Sequence, residues 1–317
     1  MEICSSDAAV QGTSNDAAVS RESAARLGYI DDPFIQYFVR RPQRRAPLIN
    51  RGTHSRFDGV QRILRQFAAR AAGCGQVVVL GAGLDTSYFL LRREGLVPLR
   101  YFEVDFAEVT AKKAATLWRT AALRTLLPED AALAGGGTEV HSNTYNLVAG
   151  DLRRFEAEVV PTLAARGLDT AAPTLFVSEC VLVYLGAEDS DALIDWITRA
   201  VPNAGILTYE QIRPDDRFGQ MMVANLRARG LELHGLHAYP TLDAAARRFL
   251  ERGWHAARGL DLAEYHERLR PEERARLSEI EILDEWEEFT LLAQHYAFAF
   301  AHTAAAGPFD AMGFDQQ

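Results

Sequence analysis

The chain has 317 residues, 48% of them hydrophobic and 24% charged, with a net charge of −9 at pH 7. This length and composition support a sizeable buried core without staples. The acidic balance excludes nucleic acid as an expected partner, because contact with a phosphate backbone relies on basic surface. Cys4, Cys74 and Cys180 are scattered and odd in number, which points to a reduced, cytoplasmic compartment rather than a disulfide framework.

Residues 1–16 carry Ser, Thr, Asn, Gly and Ala without period and are expected to form a disordered tail. No basic start followed by an apolar run opens the chain, so no signal peptide is expected. Ala17 to Leu27 suits a short helix ended by Gly28, and Pro33 to Val39 suits a single turn opened by proline. RRPQRRAPLINR, Arg40 to Arg51, reads either as a solvated connector or as a positive rim for an anionic substrate. His54 to Ala71 is an amphipathic helix by its spacing of Phe57, Val60, Ile63, Leu64 and Phe67.

Strands and helices then alternate. Strands are expected at Gln76 to Leu80, Leu99 to Val104, Tyr145 to Ala149, Pro173 to Ser178 and Ala204 to Tyr209. Helices fall at about Asp85 to Arg93, Ala107 to Leu123, Phe155 to Arg166 and Asp189 to Ala200. Pro128 to Thr138, with three consecutive glycines, reads as a surface loop insertion. Further helices are expected at Asp215 to Arg229, Leu242 to Glu251 and Leu277 to Leu292. A sixth strand is expected near Trp254 to Arg258, and His295 to Ala301 has the composition of a last one. The pattern predicts a doubly wound, mostly parallel, seven-stranded α/β sheet covered on both faces. The longest apolar stretches, Val177 to Leu185 and Tyr296 to Ala301, are far too short to span a membrane.

The first strand runs into Gly81-Ala82-Gly83, where backbone must turn tightly and admit a ligand. A dinucleotide fingerprint wants a third glycine at the place held by Thr86, so the signal for NAD is weak. The second strand ends in Glu103-Val104-Asp105; alternation puts the two acids on one face, and a carboxylate there can accept hydrogen bonds from ribose hydroxyls. Asp151-Leu152 and Glu179 end the third and fourth strands. Asp151 could meet an adenine amine with Leu152 on the ring, and Glu179 an ammonium or sulfonium. Such an acidic crevice suits a cationic cofactor, S-adenosyl-L-methionine, better than a dinucleotide with its negative pyrophosphate. Cys180 reads as a core thiol, since no base partner is evident, and Phe218, Met221 and Met222 as helix packing. His234 and His237 flank Gly235 without ligand spacing, so no metal is expected.

LGAGLDT, YFEVDF, AGDLR and SECVLVYL, taken in order with GYIDDPFIQYFVR, APLINRG, YEQIRPDDRFGQMM and HYAFAFA, resemble the leucine carboxyl methyltransferase family, in its eukaryotic phosphatase-modifying branch. A related branch that modifies a tRNA base carries an added propeller domain, which a chain of this length and charge is not expected to have. The resemblance implies a class I S-adenosylmethionine-dependent fold. It also implies one methyltransferase domain over 17–303, with an N-terminal helical cap at about 17–72, helical insertions forming a substrate lid, and a C-terminal tail over 304–317. The implied activity is methyl esterification of the C-terminal leucine α-carboxylate of the protein phosphatase 2A catalytic subunit, bound through its C-terminal tail, with S-adenosyl-L-homocysteine as product. By the family pattern Gly81, Gly83, Asp105, Asp151, Leu152, Glu179, Arg56 and Arg21 contact the cofactor. Arg21 stands where the family has lysine, which keeps the charge and changes the reach. Arg56 and Arg21 are also the candidates to clamp the substrate carboxylate, with Tyr184 closing the pocket. A monomer is expected. The alternatives are a small-molecule carboxylate as substrate, a non-catalytic phosphatase-binding module, or an NAD-type oxidoreductase on the same fold.

Overall fold

The computed structural model describes residues 5–71 and 73–315; Cys4 lies outside them. Strands Gln76–Leu80 (β1), Arg100–Asp105 (β2), Ala132–Ala134 (β3), Glu139–His141 (β4), Tyr145–Ala149 (β5), Thr174–Glu179 (β6), Ala204–Gln211 (β7), Ala256–Asp261 (β8) and Tyr296–His302 (β9) make one sheet in the order β3-β4-β5-β2-β1-β6-β7-β9-β8. The middle five, β5 to β7, are parallel, and β9 inserts antiparallel between β7 and β8. Every residue of β1 is buried: Val77 and Val79 join the core on one face, Val78 and Leu80 the core on the other. A continuous apolar run is what a strand covered on both sides requires.

The sheet has nine strands among the described residues, where the sequence pattern predicts seven. The two extra ones come from the segment read as a loop insertion. Ala132–Ala134 folds back on Glu139–His141 around Gly135–Gly137, and β4 joins β5 at Val140 and Leu147. Strands of three residues are too short for alternation to register.

Four helices frame the site: Ser5–Arg26 (α1), Pro47–Arg70 (α2), Ser87–Glu94 (α3) and Ala107–Arg119 (α4). The expected disordered tail over residues 1–16 is corrected from Ser5 onward, where the chain is helical; residues 1–4 lie outside the described residues. That helical stretch lacks an apolar stripe of its own, and the helix packs through small residues further along, Ala18 and Ala24, which are buried. Exposed ion pairs from Asp7 to Arg153 and from Asp16 to Arg229 add to it. α2 begins at Pro47, a turn and more earlier than its apolar spacing indicates, with proline in the first turn. Its Arg51 is only 1% exposed. The guanidinium donates to the carbonyls of Leu277 and Glu281 and lies over Trp286, so this end of the basic run belongs to the interior and not to a solvated rim.

The helix expected over Leu277 to Leu292 is two, Pro271–Ile280 and Trp286–Ala293. The break falls at Glu281, whose carboxylate accepts from Tyr29 Oη, Arg44 Nη2 and Asn50 Nδ2 and whose backbone is extended. Beyond β9 the chain returns to the core. Phe309 stacks on Phe67 at 5.2 Å, and Phe314 packs on Phe298 at 5.1 Å. No helix among the described residues is long and apolar enough to cross a membrane.

Candidate active site

Strand order reverses between β1 and β6, and at such a switch point the loops at the carboxyl ends of neighbouring strands diverge and leave a crevice. A cleft of ≈ 640 Å³ opens there, roofed by α1 and walled by α2, in the range occupied by small-molecule sites. The residues expected from the sequence to contact cofactor or substrate all line it: Arg21, Arg56, Gly81, Gly83, Asp105, Asp151, Leu152, Glu179 and Tyr184.

The glycine turn has a steric reason. Gly81 sits at φ +65°, and a Cβ there would lie 2.5 Å from Val181 Cγ2. Gly83 is at φ +51°, facing Ser14 of α1, and its amide donates to Asp105 Oδ2 at 2.6 Å. The place of a third glycine is filled by Thr86, which is buried and donates to Asp32 Oδ2 at 2.6 Å.

Asp105 is held by the amides of Gly83 and Phe106. Burial nonetheless raises its pKa above the ordinary carboxylate value, outweighing these amides and the more distant Lys113. Glu103, placed on the same face by alternation, does not reach the cleft. It is wholly buried, 2.5 Å from Lys113 Nζ and 2.9 Å from Tyr145 Oη, and burial pushes its pKa up to about 7. Asp151 caps the turn at Leu152–Arg154 and grips the Arg153 side chain, with Nη2 at 2.6 Å. Burial opposes its charge, but the hydrogen bonds from Arg153 prevail and its pKa falls. Leu152 is buried beside it.

The two arginines differ in their settings. Arg21, on α1, donates from Nε to Asp32 and from Nη1 to Asp85, both at 2.7 Å, while its buried Nη2 has no partner among the described residues. Phe57 lies under it, 4.7 Å from the guanidinium carbon. Arg56, on α2, donates from Nε to Glu179 Oε2 at 2.8 Å and lies over the Tyr209 ring at 5.0 Å. For both, burial works against the charge, and the facing carboxylates outweigh it and raise the pKa. Neither is the solvated helix residue that position alone would suggest.

Glu179 ends β6, and the next residue, Cys180, takes a left-handed φ of +54°, a strained conformation for a residue with a Cβ. Two features hold it. Its amide donates to the Tyr209 carbonyl at 2.6 Å. Glu210, beyond Tyr209, accepts from the amides of Val181, Leu182 and Val183 and so fixes the loop that presents Tyr184. The Cys180 thiol is pushed up to about 12 by burial, so it stays protonated and a poor nucleophile.

Asp32, Asp85, Tyr209 and Glu210 are the site residues that sequence reasoning missed. Asp85 lies inside the glycine motif itself, and Tyr209-Glu210 ends a strand as Asp105 and Glu179 do, so the strand-end rule applied once more would have found them. Asp32 carries no local signal. Phe218 packs against His295 with ring centroids 4.5 Å apart and the rings tilted by 39°. Met221 on the same helix is exposed and Met222 half-buried against Val183 and Leu233. His234 lines the cleft and His237 does not.

Seven carboxylates and four guanidinium groups line this cleft, so its field favours a ligand carrying positive charge. A model of the family described as leucine carboxyl methyltransferase matches residues 9–198. The chain belongs to the leucine carboxyl methyltransferase family. It is 38% identical to the leucine carboxyl methyltransferase 1 homolog of Arabidopsis thaliana, over 100% of this chain and 96% of that one. It is 41% identical to human tRNA wybutosine-synthesizing protein 4, over 91% of this chain but 43% of that protein. Among solved structures, a DUF574 family protein from Streptomyces avermitilis superposes with a TM-score of 0.57 over 91% of this chain and 97% of its own, at 14% identity. That likeness shows a shared fold.

Proposed function

We propose that this protein methylates the C-terminal leucine α-carboxylate of the protein phosphatase 2A catalytic subunit, taking the methyl group from S-adenosyl-L-methionine and releasing S-adenosyl-L-homocysteine. The observation that carries the reading is the pair of part-buried guanidinium groups, Arg21 and Arg56, set in a cleft whose lining holds seven carboxylates against four guanidinium groups. Such a wall suits a cationic donor, and two arginines within it suit carboxylates.

The residues present fit the donor. Asp105 has oxygen lone pairs to spare for ribose hydroxyls, Gly81 leaves room that a Cβ would fill, and Arg21 Nη2 is a buried donor without an acceptor among the described residues. In this reading Asp105 holds the ribose, Leu152 and Asp151 the adenine, and Glu179 the ammonium, with Gly81 and Gly83 giving backbone access. When bound, the donor supplies an electrophilic methyl group on a sulfonium.

The protein's part is positional. An α-carboxyl group has an ordinary pKa of about 3.5 and is already ionised at neutral pH, so no general base is needed. Arg56, with Arg21, holds one carboxylate oxygen in line with the methyl group, and orientation of this kind supplies up to about 10 kcal/mol of the barrier in the best intramolecular cases. Tyr184 and the roof formed by α1 exclude water, which otherwise solvates and quiets a carboxylate. The protonated Cys180 thiol does not compete for the methyl group. Reduced Cys74 and Cys180 suit a cytoplasmic setting.

The phosphatase is preferred over a nucleic-acid substrate because a chain of net charge −9 repels a polyanion. The test is transfer of radiolabelled methyl to the purified phosphatase catalytic subunit, beside the same subunit lacking its final leucine. Alkali-labile label on the intact subunit alone is the expected result. Label on neither, with donor binding intact, would refute the substrate assignment.

A further inference from the structure

The strand ends assigned to the donor are those of β1, β2, β5 and β6, and the cleft continues past them to the next strands outward, β7 and β9. Tyr209 and Gln211 of β7 and Tyr296, the first residue of β9, line it there. In the sheet Tyr209 stands opposite Glu179, and Gln211 stands opposite Tyr296. The Arg56 guanidinium lies over the Tyr209 ring. The Tyr296 ring stacks on Tyr209 in turn, with centroids 5.5 Å apart and planes within 14°. Tyr296 is thus held beside Arg56, on the side away from the glycine turn.

The Tyr296 phenol is half-buried and keeps its proton, because burial pushes its pKa up to about 12 against the opposing pull of Gln211 and Arg56. The hydrogen bond from Gln211 favours the phenolate, as a donor to the phenol oxygen does. Gln211 is itself buried, and its Oε1 has no partner among the described residues, so the phenol does not donate back to it. A hydroxyl can accept and donate at once. With its oxygen engaged by the amide, Tyr296 has an O–H hydrogen left for the cleft that it lines.

We infer that Tyr296 is a second donor to the substrate carboxylate, binding the oxygen that Arg56 and Arg21 do not aim at the methyl group. The inference rests on the reading of the cleft as a carboxyl methylation site. A carboxylate held through one oxygen still turns about its C–C bond, and a hydrogen bond to the other oxygen fixes its plane for in-line attack. A neutral phenol suits this place better than a third cation, because it draws less charge from the oxygen that must attack. Tyr296 transfers no proton, since the ester forms from a carboxylate that is already ionised. Gln211 acts through Tyr296 and is a positioning residue.

The test uses the full chain with S-adenosyl-L-homocysteine bound, so that nothing turns over. The phosphatase catalytic subunit is supplied in two forms, one with its free terminal carboxylate and one carrying a carboxyl-terminal amide introduced by ligation. Dissociation constants for both are measured with wild type and with Tyr296→Phe, which keeps the ring stacked on Tyr209. The variant is expected to bind the carboxylate form about tenfold more weakly and the amide form within about twofold of wild type, because a hydrogen bond to a charged acceptor is worth more than one to a neutral acceptor. Its melting temperature and its affinity for S-adenosyl-L-homocysteine should match wild type. A merely structural hydroxyl would weaken both forms alike, so equal weakening, or no weakening of either form, would overturn the inference. Selective weakening of the carboxylate form, with no methyl transfer to it by wild type supplied with S-adenosyl-L-methionine, would instead sink the proposed reaction and leave Tyr296 standing as a carboxylate donor.

Discussion

Arg56 carries the largest single consequence at the scale of one residue. Its Nε is committed to Glu179, leaving the outer nitrogens for a ligand carboxylate. A hydrogen bond to a charged group is worth about 1.5–3 kcal/mol, so Arg56→Ala should lower kcat/KM roughly 10–100-fold in steady-state assays. Arg56→Lys should recover only part of it, because an ammonium lacks the planar fork. Full activity in the lysine variant would show that charge alone matters there. Gly81→Ala is expected to cost about 1–3 kcal/mol of stability and to impair donor binding. It combines a left-handed backbone with a 2.5 Å approach to the stiff Val181 side chain. Thermal unfolding and calorimetric titration check the two effects separately. Gly81, Asp105 and Glu179 were legible in the sequence because each stands at a strand end next to a turn. Arg21 was legible only through family resemblance, since its partners Asp32 and Asp85 lie 11 and 64 positions away.

At the scale of the element, α1 is the roof of the cleft, and the ion pairs that hold its first half lie at the rim. Asp7 pairs with Arg153 and Asp16 with Arg229, and both pairs are substantially exposed. Exposed pairs contribute about 0.2–1 kcal/mol each, so Asp7→Ala with Asp16→Ala should leave the melting temperature within about 2–4 °C of wild type. The same change should speed amide exchange across the first half of α1, measured by hydrogen–deuterium exchange. Unchanged protection there would mean that packing through Ala18 and Ala24 holds the roof by itself. The sequence showed the second half of this helix and hid the first, because the small residues there make no apolar stripe. The hairpin of β3 and β4 was hidden for a related reason, since strands of three residues form only where β5 offers an edge.

For the whole molecule, two buried acids set a pH dependence. Glu103 and Glu210 both have pKa values pushed up to about 7 by burial, from an ordinary 4.5. The folded state therefore holds these protons more tightly than the unfolded chain does. Their contribution is fully present below about pH 4.5 and is lost as pH rises through about 7. Glu210→Gln removes one of the two, so the stability of wild type relative to this variant should decline between pH 5 and pH 8 in urea titrations. A constant difference across that range would contradict the assignment. Donor binding should act in the opposite sense, adding about 2.7 kcal/mol of stability at one hundred times its dissociation constant, read as a rise in melting temperature. S-Adenosylmethionine should produce that rise and NAD should not.

The sequence by itself determined the alternation of strands and helices, the buried central strands and the ends at which their acids and glycines stand. These are local matters of periodicity and of backbone room, written in neighbouring residues. The tertiary structure alone decided which charges meet. Glu103 and Asp105 are two residues apart on one face, yet one is sealed against Lys113 and the other opens on the cleft. Arg51 and Arg56 share a helix, yet one braces the interior and the other faces Glu179. Burial and pairing depend on what lies across the fold, and that is fixed only when α1, α2 and the strand ends close around one crevice.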